Sequence, residues 1–430
     1  MALTGRAALA ALAGVLVVLA FRSLAALIVV NVVILAAVVV DVLVAASVGQ
    51  LRMARAGDTR ILLGSTGAVT LTVENAGRRT LRAIVRDSWR PSAGAAPSRV
   101  RMLVPAGTRG ALTTTLTPQR RGDTAPGRVT VRSLGPLGIA GRQGSLQVPW
   151  SVRVLPPFLS RRHLPEKLGL LRQLDGQHRA LTRGEGSEFD SLREYVLGDD
   201  VRSIDWRSSA RRTEVVVRTW RPERDRRIII VLDTGRTSAG RVGAIPRLDA
   251  SMDASLLLAA LATRAGDRVD LLAVDRRVRA RVVGAGRSGT LAALTDAMAP
   301  IEADLIESDA GVLASSLLEV ARQRCLVVLF TDLNKAAIEE GLLPRLPALA
   351  SRHRLLVAAV ADPRVQEMAA GRGSAGAIYE AAAAERSQAE RARVSALLRR
   401  HGVQVVDAVP DNLAPALADA YLGLKAAGRL

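Results

Sequence analysis

Two aspartates in this 430-residue chain close strongly apolar runs, Asp233 in "RRIIIVLDTGRTSAG" and Asp332 in "CLVVLFTDL". Paired carboxylates with a hydroxyl nearby, here Thr237, suit a hard cation such as Mg²⁺, which takes oxygen ligands from one or two carboxylates and completes its shell with water. An aspartate that ends a strand also commonly does no more than cap the next helix or turn.

A second group of acids lies in "EFDSLREYVLGDDVRSIDWRSSARR", residues 188–212. Glu185, just before it, with Glu188, Asp190, Glu194, Asp199, Asp200 and Asp205, could supply a general acid and base. The interleaved Arg193, Arg202, Arg207, Arg211 and Arg212 favour mutual ion pairing instead. Tyr195, Asp205, Trp206 and Arg207 form the alternative constellation, because Trp, Tyr and Arg dominate the energetics of protein interfaces. Alternatively, Phe189, Tyr195 and Trp206 pack this segment onto a neighbouring domain while Asp205 and the arginines form an ionic network. His163, His178, His353 and His401 are dispersed without metal spacing, and no Ser, His and acid set carries a local signature. No glycine-rich phosphate loop is present, so the chain shows no nucleotide site of its own.

The elements that must hold these residues are legible in outline. From 226 onward, "RRIIIVLDT", "RVDLLAVD", "CLVVLFTD", "RLLVAAVAD" and "VQVVDAV" alternate with helical stretches such as 248–264 and 377–400. Apolar strands alternating with helices predict a doubly wound α/β domain over 223–430, with ligands at the C-terminal strand ends. Residues 57–155 read as short alternating strands, among them "AVTLTVENAG", "TLRAIVRDSW" and "RVTVRSLGP", which predict a small antiparallel β-sandwich. Residues 156–222 connect the two with little clean periodicity.

The first 50 residues are different in kind. Two apolar runs, 7–21 and 24–40, lie between Arg6, Arg22 and the later Arg52, Arg55 and Arg60, and predict a transmembrane helical hairpin. A cleaved signal peptide fits less well, because a second apolar run follows the first. The arginines after the second run place the soluble domains in the cytoplasm of a multi-pass cell-membrane protein. The net charge of +20 is nearly all arginine, scattered from end to end, with Lys only at 167, 335 and 425. No nucleic-acid-binding signature accompanies it, so an anionic membrane surface is the simpler partner. The single cysteine, Cys325, opens an apolar run and reads as a core residue.

Asp233, Gly235 and Thr237 have the spacing of the Asp-x-Ser-x-Ser motif in the metal-ion-dependent adhesion site of von Willebrand factor A domains, although Gly235 breaks the pattern. The resemblance implies a metal, Mg²⁺, held by Asp233, Thr237 and Asp332, with a loop threonine such as Thr290 as a further ligand. The segment from Gly184 to Asp233 resembles the signature of the DUF58 family, bacterial membrane-anchored proteins with a von Willebrand A-like domain. "RRGDTAPGRVTVRSLGPLGIAGR" resembles that family's preceding β-region. What the resemblance implies is a non-catalytic interaction module working with a MoxR-type AAA+ ATPase in assembly or activation of protein complexes. The alternative is a carboxylate- or metal-dependent hydrolase of the cell envelope.

Overall fold

The computed structural model describes residues 2–181, 188–197, 199–211, 214–221, 226–243, 245–286 and 289–428, with the backbone alone at 175–181, 188–190 and 219–221. The chain divides into two compact units, Met1–Pro157 and Phe158–Leu430. The predicted connecting segment therefore belongs almost wholly to the second unit.

In the first unit, strand β1 (Ala2–Leu3) precedes two apolar helices, α1 (Gly5–Phe21) and α2 (Leu24–Val44). The helical stretch Leu24–Gln50 is long and apolar enough to cross a membrane, whereas α1, also apolar, is shorter at 17 residues. The helices meet where Gly14 leaves room: a Cβ there would lie 3.3 Å from Ile34 and would overlap Val30.

Strands β2 (Leu51–Gly57), β3 (Arg60–Leu62), β4 (Gly67–Asn75), β5 (Leu81–Arg86), β6 (Arg99–Val104) and β7 (Arg109–Leu116) follow, then β8 (Gly122–Thr124), β9 (Val129–Leu134), β10 (Ala140–Leu146) and β11 (Val152–Leu155). They form sheets ordered β1-β10-β9-β5-β6, β2-β4-β7 and β3-β11-β8. Period-two patterning explains the packing, since Val69, Leu71 and Val73 of β4 point inward while the residues between them do not. Leu71 and Val73 share one core cluster with Leu81, Val85, Val129 and Val131 from the five-stranded sheet.

Asp41, Arg55 and Asp87 are buried in this unit. Arg55 pairs with Asp87, with both side chains fully buried, and also donates to the Val148 carbonyl. Trp89 Nε1 donates to Asp87 at 3.0 Å. Arg55 is thus a core residue and does not belong among the membrane-surface arginines that the positive-inside reading counted. Asp41, in the last turn of α2, accepts backbone N–H bonds from Leu137 (2.8 Å), Ile139 (2.7 Å) and Ala140 (3.0 Å) in the turn between β9 and β10. The same turn receives Thr4 Oγ1 on the Gly138 carbonyl at 2.6 Å, and Arg142 Nε of β10 donates to the Val42 carbonyl at 2.9 Å.

The second unit opens with α3 (Leu164–Leu181), a helix that the sequence reading missed. Its Leu171 is buried in the main core, and Lys167 reaches Asp419 at 2.8 Å. A two-stranded ribbon follows, β12 (Glu188–Glu194) antiparallel to β13 (Val216–Arg221), with the short helix α4 (Trp206–Ser209) in the connection.

Strand β14 (Arg227–Asp233) leads through α5 (Arg236–Ala239), β15 (Arg241–Val242) and β16 (Ile245–Pro246) to α6 (Arg247–Arg264), β17 (Arg268–Val274), β18 (Val278–Val282), α7 (Thr290–Met298) and α8 (Ala310–Val320). The chain continues as β19 (Leu326–Phe330), α9 (Leu346–Ala350), β20 (Arg354–Val360), α10 (Pro363–Ala369), α11 (Ala375–Arg400), β21 (Gln404–Ala408) and α12 (Pro410–Ala426).

Six of these strands make one sheet in the order β18-β17-β14-β19-β20-β21. All pairings are parallel except β17 with β18. Successive residues of β14 enter different cores. Ile228, Ile230 and Leu232 join Leu256 of α6 and Tyr421 of α12, whereas Ile229 and Val231 join Leu317 of α8 and Leu398 of α11. A strand buried on both faces must be apolar throughout, which is why "RIIIVLD" shows no alternation.

Candidate functional site

β14 lies between β17 and β19, so its last residue, Asp233, sits at the middle of the sheet's C-terminal edge. Asp233 is buried, and its carboxylate is ringed by donors. Oδ1 accepts from Gly235 N at 2.9 Å and from Ser308 Oγ; Oδ2 accepts from Thr237 Oγ1 at 3.1 Å and Thr331 Oγ1 at 2.7 Å. An ionised carboxylate offers about four lone-pair positions, and four donors occupy them here.

Thr237 therefore stands beside Asp233 as its spacing predicted, but two of the three hydroxyls were not foreseen. Ser308 arrives from the loop between α7 and α8, 75 residues away. It fits because position 235 is glycine: a Cβ there would overlap Ser308 Oγ and lie 2.8 Å from the Ile306 carbonyl oxygen. Thr331 lies inside the "FTDL" run already singled out, and its signal was its place beside Asp332. Thr290 does not join the group. Its hydroxyl donates to the carbonyls of Ala285 (3.2 Å) and Gly286 (3.1 Å) at the start of α7.

Asp332, one residue further along, faces guanidinium groups. Arg247 Nη1, from the first turn of α6, donates to its Oδ2 at 2.9 Å, and Arg391 Nη1, from α11, donates to its Oδ1 at 2.5 Å. Arg391 continues to both oxygens of Asp407 at 2.8 and 2.9 Å and to the Val360 carbonyl at 3.1 Å. Burial works against its charge, but the bonds to Asp407 and Asp332 prevail and raise its pKa above the ordinary guanidinium value.

A divalent cation does not fit this donor set. Both oxygens of Asp332 are engaged by positive groups that would repel it, and Asp233 has no acceptor position to spare. Among the described residues, no group of three or more His, Cys, Asp or Glu side chains is placed to hold a metal ion.

The ribbon carries the other predicted residues. Tyr195 follows β12, and its N–H donates to the Val215 carbonyl at 2.8 Å. Asp205 caps α4 by accepting from Ser208 N at 2.9 Å, and it pairs with Arg218 of β13 at 2.7 Å. The Ser208 bond and the Arg218 guanidinium hold its carboxyl below the usual aspartate range. Asp199 is lowered likewise by Arg193 and by the backbone N–H of Val196. Of the acids considered for catalysis, Glu185 lies outside the described residues, as do the side chains of Glu188 and Asp190.

Val216 and Val217 of β13 are buried, but other apolar residues of the ribbon and its connection face solvent. Trp206 is 66% exposed and Leu197 97%, and Val196, Val201 and Val215 are exposed as well. The side chains of Arg202, Arg207 and Arg211 are exposed and make no ion pair among the described residues. Asp205 thus has the ionic role that the sequence allowed, while Trp206 does not pack the segment down.

Residues 191–407 match the family model described as "Protein of unknown function DUF58", and the chain belongs to that family. Uncharacterized proteins of Mycobacterium tuberculosis (Rv1480) and Mycobacterium bovis (Mb1516) are 29% identical over 202 residues, covering 45% of this chain. The chain matches 61% of the length of these relatives. Slight structural likenesses extend to the CARDB domain of a Pyrococcus furiosus protein (15% identity, 24% of this chain and 86% of that one, TM-score 0.18). The alpha-2-macroglobulin of Escherichia coli is comparable (17% identity, 26% of this chain and 17% of that one, TM-score 0.21).

Proposed function

We propose that the protein is a membrane-anchored, non-catalytic interaction module whose partner is a MoxR-type AAA+ ATPase, and that it assists assembly or activation of other protein complexes. Its second unit is read as a von Willebrand A-like domain, on the support of the parallel sheet covered on both faces and of the Asp233–Gly235–Thr237 spacing. The two N-terminal helices are read as a membrane hairpin that leaves the soluble parts in the cytoplasm. The apolarity of Leu24–Gln50 and the close seat of Gly14 on α2 support that reading.

The observation that carries the proposal is the ribbon's exposed face. Trp206, Leu197 and Val201 stand in solvent while Asp199 and Asp205 are spent on bonds within the ribbon itself. Exposed aromatic and aliphatic side chains, with arginines that have no ion-pair partner among the described residues, are the composition of a docking surface rather than of an acid–base site.

The test is binding of the detergent-solubilised full chain to a purified MoxR-type ATPase from the same genome, in each nucleotide state. Trp206→Ala and Leu197→Ser should each weaken the complex about tenfold or more, in line with the loss of an interface anchor. Both positions are solvent-exposed, so the thermal midpoint should stay unchanged. Absence of binding in every nucleotide state would sink the proposal.

A further inference from the structure

We infer that the strand-end site is neutralised from within: Arg247 and Arg391 take the place of a divalent cation at Asp332, and Ser308, seated over Gly235, closes the hydroxyl ring around Asp233. Three independent features lead there. Asp332 spends both oxygens on guanidinium groups from different helices, α6 and α11. Asp233 is saturated by one backbone and three side-chain donors. Gly235, the position at which the adhesion motif would carry a serine, is a glycine whose missing side chain is what admits Ser308.

The inference assigns work to these residues. A cation would draw the ends of β14 and β19 together through shared oxygen ligands. Here Asp332 is instead the hub between two helices, because Arg247 anchors the start of α6 to it and Arg391 ties α11 to it. Arg391 also reaches the end of β20, through the Val360 carbonyl, and Asp407 of β21. Three strand ends and two helices are thus fastened by groups whose charge never dissociates, since a guanidinium remains protonated throughout the physiological range. The fold would then be indifferent to chelators and to the supply of divalent ions.

The two arrangements predict opposite signs for one substitution. In a cation-held site, removing a carboxylate charge in chelator relieves repulsion between neighbouring acids, and stability holds or rises. In an arginine-held site, Asp332→Asn strands two guanidinium groups, and stability falls.

The experiment uses the full chain in detergent. Wild type should show no saturable Mg²⁺ or Mn²⁺ uptake by calorimetry, and the same thermal midpoint in EDTA and in Mn²⁺. In EDTA, Asp332→Asn should lower that midpoint by about 6 °C or more. Saturable Mn²⁺ uptake by wild type that is lost in Asp233→Asn would overturn the inference, as would an Asp332→Asn midpoint in EDTA equal to or above wild type. Should Asp332→Asn fail to fold, Arg247→Met decides. It should lower the EDTA midpoint and create no Mn²⁺ binding; an unchanged midpoint with newly gained Mn²⁺ affinity would overturn the inference.

Discussion

Ser308 occupies the space that a side chain on Gly235 would need, and its hydroxyl is bonded to the Asp233 carboxylate. The two residues are complementary: the smallness of one is the condition for the position of the other. Gly235→Ser should therefore destabilise the chain by about 1 to 3 kcal/mol through overpacking. Denaturant midpoints of Gly235→Ser alone and combined with Ser308→Gly check it, and the double variant should regain part of the loss. Equal losses in the single and double variants would show that the two positions do not compete for space.

Arg55 and Asp87 form a fully buried ion pair, and breaking one side leaves the other charged and alone. Arg55→Met should cost about 3 to 5 kcal/mol. The double variant Arg55→Met, Asp87→Leu should cost less than the single changes summed, because neither charge remains. Strict additivity in the double-mutant cycle would refute the pairing.

His353 is buried beside Cys325, with Cys325 Sγ 3.4 Å from its Nδ1. Burial, and then the charge of Arg352, push its pKa below the ordinary histidine value of 6.5. The unfolded chain consequently takes up the proton first as pH falls, so stability that is full above pH 6.5 declines as pH drops toward the folded value. The expected signature is a downward slope of denaturation midpoint from pH 7 to pH 5 that is shallower in His353→Gln. An identical slope in both proteins would remove His353 as its source.

Burial also pushes the Cys325 thiol up to about 12, and its side chain is enclosed. At pH 8 almost no thiolate forms, so iodoacetamide should label the folded chain at least about a hundredfold more slowly than the denatured one. Comparable rates would place Cys325 at the surface.

The parts of the fold that were legible share one physical property, in that each segment carries its own burial pattern. The five parallel strands were visible because burial on both faces leaves no polar position. β18 escaped because "VRARV" alternates arginine with small apolar residues at a half-exposed sheet edge. α3 escaped because its mixed polar sequence earns its helical state partly by packing Leu171 and Lys167 against the rest of its unit. The site divides in the same way. Asp233, Thr237 and Asp332 could be marked because strand ends and short spacings are local facts. Ser308, Arg247 and Arg391 could not, because their relevance exists only once α6, α11 and the loop before α8 have been folded against the sheet.

Asp41 places a final constraint on the first unit. Three backbone N–H groups of one tight turn converge on a single carboxylate at the foot of an apolar helix, while Thr4 and Arg142 stitch the same turn and its strand to both helices' ends. A change in the tilt of α2 would have to move the β9–β10 turn with it or break these bonds, so the foot of the helix and that hairpin are coupled through one carboxylate.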